Sequence, residues 1–144
     1  MNIRNATVED VQALAHLMNQ LGYPTTVEQM KKRFHNIKEN PNHYTLVACK
    51  DGKVIGMVGF YIDVLYNADD LYARIIAFVI DENYRRQGAG RMLLKQAETI
   101  AKELGAKGIG LNSGNRPERQ AAHRFYQNMG YLAKSTGFVK NFEA

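Results

Sequence analysis

The chain has 144 residues, 45% of them hydrophobic and 23% charged, and a formal charge of +5 at pH 7. That length suits one domain, residues 1–144, with a real core, and its apolar runs are far shorter than the roughly 20 residues a membrane helix needs. The positive charge admits an anionic partner, whether nucleic acid, an acidic surface or a phosphorylated small molecule, without choosing among them.

A short strand over Asn2 to Asn5 precedes Thr7-Val8-Glu9-Asp10, an N-cap signal with acidic residues in the first turn. Val11, Leu14, Ala15, Met18 and Leu21 recur at helical spacing, and Gly22 with Pro24 stops that helix. Thr26 with Gln29 forms a second capping box. The stripe Met30, Phe34 and Ile37 then carries a helix that closes before Pro41. The period next changes. Tyr44 to Cys49 and Val54 to Tyr61 are strand-like runs joined around Asp51-Gly52, and Leu71 to Ile80 follows as a third long strand. These make an antiparallel meander.

Helical spacing returns with Leu93, Leu94, Ala97, Ile100, Ala101 and Leu104, ended by Gly105. Lys107 to Asn112 is a short strand, parallel to its predecessor because a helix crosses between them. Pro117 opens a last helix carrying Ala121, Ala122, Phe125 and Tyr126, stopped by Gly130. Tyr131 to Ala133 and Phe138 to Phe142 offer closing strands. The order describes an α/β fold with a mixed, mostly antiparallel sheet and about four helices.

The N-terminus lacks the apolar run of a signal peptide. The single cysteine, Cys49, cannot form an internal disulfide, which suits a reducing cytoplasm, and its apolar neighbours make it a core thiol. His16, His35, His43 and His123 show no metal-ligand spacing, so no metal is expected.

The most informative segment is Phe78-Val79-Ile80-Asp81-Glu82-Asn83-Tyr84-Arg85-Arg86-Gln87-Gly88-Ala89-Gly90-Arg91. A strand ends, a loop turns, and a helix starts on closely spaced glycines that let an anion approach the amides. Arg85, Arg86 and Arg91 add positive charge beside it. It is no Walker loop, because Arg91-Met92 follows the last glycine, and no Rossmann fingerprint, because it has two glycines and follows a meander. Alone, the pattern fits an ordinary structural turn as well as a phosphate cradle.

Arg85-Arg86-Gln87-Gly88-Ala89-Gly90 resembles the Arg/Gln-x-x-Gly-x-Gly/Ala signature of the GNAT superfamily of N-acetyltransferases. About 35 residues downstream, Ala122-His123-Arg124-Phe125-Tyr126 with Met129-Gly130-Tyr131 is similar to that family's Ala-x-x-Phe-Tyr…Gly-Phe/Tyr segment. The element order agrees along essentially the whole chain. Arg119, His123 and the ending Phe138-Val139-Lys140 resemble the aminoalkylphosphonate N-acetyltransferase branch, although the strand that is acidic in that branch carries Arg74 here.

The resemblance implies a single-domain fold with a cleft between two splayed strands that takes acetyl-CoA as cosubstrate. Main-chain groups of Phe78, Val79 and Ile80 would pair with the pantetheine amides. Arg85, Arg86, Gln87, Gly88, Ala89, Gly90 and Arg91 would hold the pyrophosphate, and Arg119, where the family often has asparagine, would contact a cofactor phosphate or stand in solvent. Tyr126 matches the tyrosine that protonates the departing thiolate; as a bland alternative it is an aromatic on a buried helix face. A backbone N–H near Phe78 or Val79 would stabilise the oxyanion. No base is assigned, because Tyr72 to Ile80 holds no carboxylate. Asp63, Asp69, Asp70, Tyr61, Tyr66 and an ordered water all stay open, while Asp81 belongs to the turn. Tyr23 and Phe34 line an acceptor pocket or simply pack.

Three functions compete. The first is transfer of an acetyl group to a primary amine of a small molecule by direct attack in a ternary complex, with protein N-termini or lysines as other acceptors of the same fold. The second is a non-catalytic acyl-CoA sensor. The third is a basic nucleic-acid-binding domain, against which stands the concentration of arginines on one small loop. The resemblance favours a cytoplasmic acetyltransferase that binds neither nucleic acid nor membrane; a homodimer is common in the family, and the residues leave the oligomeric state open.

Overall fold

In the computed structural model, which describes residues 1–142, Thr7 and Thr26 start the first two helical segments through reciprocal caps. Thr7 Oγ1 accepts from the Glu9 amide while Asp10 accepts from the Thr7 amide at 2.8 Å. Thr26 and Gln29 make the same exchange, at 3.1 and 3.2 Å. A cap of this kind contributes about 1 kcal/mol. A 3-10 turn over Val8–Asp10 runs into α1 (Val11–Leu21), and α2 spans Val27–Glu39.

The strands are β1 (Asn2–Asn5), β2 (His43–Lys50), β3 (Lys53–Asp63), β4 (Leu71–Ile80) and β5 (Ala106–Leu111). The first four pair antiparallel in chain order, and β5 joins beyond β4 after the crossover helix α3 (Ala89–Glu103). The result is an open, mixed five-stranded sheet, with α4 (Gln120–Asn128) as the fourth helix. Asp51 and Gly52 turn the β2–β3 hairpin with positive φ at both positions (52° and 77°), as a type I′ turn requires.

Alternation along the strands separates two faces. On one, Val47, Cys49, Met57 and Val79 bury against Leu14 and Leu17 of α1 and Met30 and Phe34 of α2. Cys49 is thus the core thiol the sequence suggests. On the other face α3 packs through Leu93 and Leu94, both fully buried. Gly56 allows this approach. A Cβ there would stand 2.6 Å from Ile80 Cδ1 and 3.2 Å from Leu93 Cδ1.

One irregularity matters for function. Gly59 pairs with Ala77 but Phe60 pairs with Ile75, so Ile76 is an extra residue in β4. Such a bulge reverses the facing of every residue before it. Tyr72 and Arg74 therefore share a face with Val79.

The described chain divides into two compact units. Residues 1–109 hold β1 to β4, α1 to α3 and most of β5; from 110 onward come the end of β5, a 3-10 turn at Pro117–Arg119 and α4. One expectation is corrected here. Neither Tyr131 to Ala133 nor Phe138 to Phe142 forms a strand. Leu132, Phe138, Val139 and Phe142 are 78, 92, 88 and 93% exposed, so their apolar side chains meet no sheet face that would hold an extended run in register.

Candidate active site

Within the first unit, the motif residues form one continuous path. Phe78, Val79 and Ile80 end β4 opposite Val58, Met57 and Gly56. Val79 belongs to the core, while Phe78 and Ile80 are half-buried. Asp81 closes the strand. It is 1% exposed, its amide donates to Ile55 O at 2.7 Å, and its Oδ1 accepts from the Asn83 amide at 3.0 Å. His16 of α1 lies 3.4 Å from Oδ2. Burial alone would raise the Asp81 pKa, but the Asn83 amide, Gln20, His16 and Lys53 outweigh it and hold the carboxyl below its ordinary value. This carboxylate is committed to the turn Glu82–Tyr84, as the sequence suggests.

The loop that follows is shaped by two left-handed residues, Arg86 at φ 65° and Gly88 at φ 91°. Alternating hand along a loop turns successive amides toward one side, the geometry of an anion nest. Gly88 caps α3, whose first intrahelical bond runs from the Met92 amide to Gly88 O at 3.1 Å, so the Ala89 and Gly90 amides point out of the helix end. Nothing lies within 4 Å of the place a Gly88 Cβ would occupy. Arg85, Arg86, Gln87 and Arg91 are exposed around this end, and Ala89 is buried beneath it. The Arg85 Nε donates to Ile80 O at 3.2 Å, and Lys50 Nζ donates to Gln87 Oε1 at 2.6 Å, tying the loop to the strands on either side. An open, positively charged amide cradle of this sort fits a pyrophosphate.

The second unit assembles Tyr126, Arg119, Ser113 and His123. Tyr126 is 8% exposed, packed between Phe125 (ring centroids 5.7 Å apart) and Tyr131 (6.1 Å). Gly130 ends α4 at φ 94°, and the Tyr131 amide donates to Tyr126 O at 2.9 Å. Burial pushes the Tyr126 hydroxyl above its ordinary pKa, and the nearby Arg119 guanidinium partly opposes that. Ser113 Oγ lies 3.5 Å from an Arg119 guanidinium nitrogen and 3.1 Å from His123 Nε2. Arg119 is thus a neighbour of the tyrosine hydroxyl, a relation that sequence spacing does not reveal.

Among the open base candidates, Asp63, Asp69, Asp70 and Tyr66 are exposed and Tyr61 is half-buried on β3. Phe34 is a core residue, whereas Tyr23 stands in solvent. A shallow groove on α2, lined among others by Lys31, His35 and Lys38, carries none of the motif residues. No helix among the described residues is long and apolar enough to cross a membrane.

Comparison with known proteins agrees with this geometry. Residues 10–131 match the model of the acetyltransferase (GNAT) family. The chain belongs to that family and is an acetyl-CoA-dependent N-acetyltransferase. It is 28% identical over 143 residues to the aminoalkylphosphonate N-acetyltransferase of Salmonella typhimurium, covering 96% of this chain and 89% of that one. An uncharacterised N-acetyltransferase of Chlorobaculum tepidum is 30% identical over 134 residues, covering 90% and 74%. A GNAT family acetyltransferase of Staphylococcus aureus superposes with a TM-score of 0.83 at 33% identity, over 98% of both chains.

Proposed function

We propose that the two units act as one cytoplasmic catalytic domain that acetylates the primary amine of a small molecule by direct attack in a ternary complex. The family match runs across both units, which supports reading them together. The observation that carries the proposal is the left-handed pair Arg86 and Gly88 at the mouth of α3, an anion nest directly after β4.

Residues Arg85 to Arg91 hold the pyrophosphate of acetyl-CoA, and the main chain of Phe78, Val79 and Ile80 runs beside the pantetheine. The amine loses a proton and its nitrogen attacks the thioester carbonyl carbon. A β4 backbone N–H near Phe78 or Val79 stabilises the oxyanion. As the tetrahedral carbon collapses, the C–S bond breaks and the thiolate takes the Tyr126 proton, releasing the amide and CoA. A buried tyrosine with a raised pKa keeps its proton at neutral pH, as an acid must. Arg119 positions that hydroxyl and tempers its pKa.

The deciding experiment measures CoA thiol release across aminoalkylphosphonates, aminoglycosides, polyamines, amino acids and lysine peptides, with Tyr126→Phe alongside. Turnover of a small amine that collapses in the variant supports the mechanism. Turnover of peptides alone moves the assignment to a protein acetyltransferase. Tight acetyl-CoA binding without turnover moves it to a sensor.

A further inference from the structure

The second unit holds a set of side-chain contacts that the binding of acetyl-CoA does not call for. Arg119, the N-cap residue of α4, is followed by His123 and Tyr126 at helical spacing, so the three share one face. Ser113 reaches this face from outside the helix, just past the end of β5 at Leu111. Its Oγ lies 3.1 Å from His123 Nε2 and 3.5 Å from an Arg119 guanidinium nitrogen. Residues 114–118 between them are exposed, whereas Ser113, Arg119 and His123 are half-buried and Tyr126 is buried.

The chemistry of the groups gives these bonds a direction. A guanidinium can only donate, so Ser113 Oγ accepts from Arg119. The single hydroxyl proton is then free for His123, and a neutral imidazole with a bare Nε2 accepts it. A charged imidazole would set a second cation against the same oxygen. The order Arg119 to Ser113 to His123 thus puts a neutral anchor behind the cation. Glu118, the acid next to Arg119 in the chain, pairs with Arg116 at 3.5 Å. Ser113 is not spent on a helix end either, because among the described residues neither Pro117–Arg119 nor α4 carries a side-chain cap.

We infer that Ser113 and His123 are positioning residues for acetyl transfer, holding the Arg119 guanidinium beside the Tyr126 phenol through two directed hydrogen bonds. The inference rests on the reading of Tyr126 as the proton donor to the leaving thiolate. An unanchored arginine samples many rotamers, and its field at any one atom weakens accordingly. Arg119 is the charged group that opposes burial at the phenol, while Arg116, Glu118 and Arg124 stand exposed. Whatever fixes Arg119 therefore also tunes the acid.

The test follows the Tyr126 phenol by NMR titration of protein carrying isotope-labelled tyrosine, with its resonance assigned by its loss in Tyr126→Phe. Profiles of kcat against pH run in parallel. In Ser113→Ala and His123→Phe, both the titration and the alkaline limb should move to higher pH, the direction set by Arg119→Gln. The kcat should fall about 3- to 10-fold, the worth of one hydrogen bond, with the KM for acetyl-CoA unchanged. Ser113→Thr keeps the hydroxyl and should recover part of the shift. In the Arg119→Gln background Ser113→Ala should add nothing, because the chain it breaks is already gone. A Tyr126 titration unmoved by Ser113→Ala overturns the inference, as does a full additive loss on top of Arg119→Gln. A KM for acetyl-CoA that rises in place of the fall in kcat overturns it too, by making Ser113 a cofactor contact. Should His123→Phe fail to fold, Ser113→Ala decides alone. If Tyr126→Phe turns over as fast as the wild type, the acid reading falls. The titration then decides by itself: a shift shared by Ser113→Ala and Arg119→Gln sustains the positioning chain, and no shift removes it.

Discussion

The Arg119 guanidinium lies close enough to the Tyr126 phenol to act on its proton, from about two helical turns earlier in the chain. The pair sets two opposing influences on one proton: burial holds it on the oxygen, and the neighbouring cation loosens it. The balance remains above the ordinary tyrosine value of 10.0.

Replacing Tyr126 by phenylalanine should lower kcat about 100-fold, the usual contribution of a positioned general acid, with little change in the KM for acetyl-CoA. Steady-state kinetics check this. A kcat near that of the wild type would leave Tyr126 as a packing residue.

Arg119→Gln should move the alkaline limb of kcat to higher pH, because removing the cation leaves burial unopposed and raises the tyrosine pKa further. A profile between pH 8 and 11 suffices to read it. A limb that moves down, or stays still, contradicts the assigned role.

Gly88→Ala forces a Cβ into the left-handed region, at a cost of about 1–2 kcal/mol. Urea denaturation should report that loss, and acetyl-CoA affinity should fall with it, because the nest opens when Gly88 leaves φ 91°. Gly56→Ala is the control. It should destabilise by about 1–3 kcal/mol through overpacking against Ile80 and Leu93, at a position outside the nest.

Asp10 accepts two bonds from Arg4, at 2.8 and 2.9 Å, and one from the Thr7 amide at 2.8 Å. The Arg4 bond, aided by Thr7, outweighs burial and holds the Asp10 pKa below its ordinary 3.8. A depressed carboxyl contributes its stability above the unfolded pKa and loses it as pH falls through the folded one. Asp10→Asn should therefore cost about 1–2 kcal/mol at pH 7, a modest figure because Arg4 is largely exposed. The gap to the wild type should close as pH drops below 3.8. A gap independent of pH would assign the loss to packing.

Signals that act within a few residues were legible in the sequence. Thr7, Thr26, Asp51-Gly52, Gly88, Gly105 and Gly130 stand where caps and turns need them, and the glycine loop carried most of the candidate cofactor site. Leu17 was missed on the buried face of α1, because the apolar stripe there is wider than the periodic positions alone suggest. The pairing of Arg4 with Asp10 and the row His43–Tyr61–Arg74 depend on tertiary placement and register between strands, and neither leaves a local trace. The apolar run from Phe138 has strand composition but no neighbour in the sheet, which is why its periodicity misled.

The extra residue Ile76 divides β4 into two halves that answer to different demands. Strict alternation back from Val79 would turn Arg74 toward α3 and bring Ile75 around to the α1 side; the extra residue reverses both. With it in place, positions 72 and 74 can vary while Ala73 and Ile75 go on sealing the opposite layer. One inserted residue thus frees the side chains of one face to change without disturbing the layer packed behind the other.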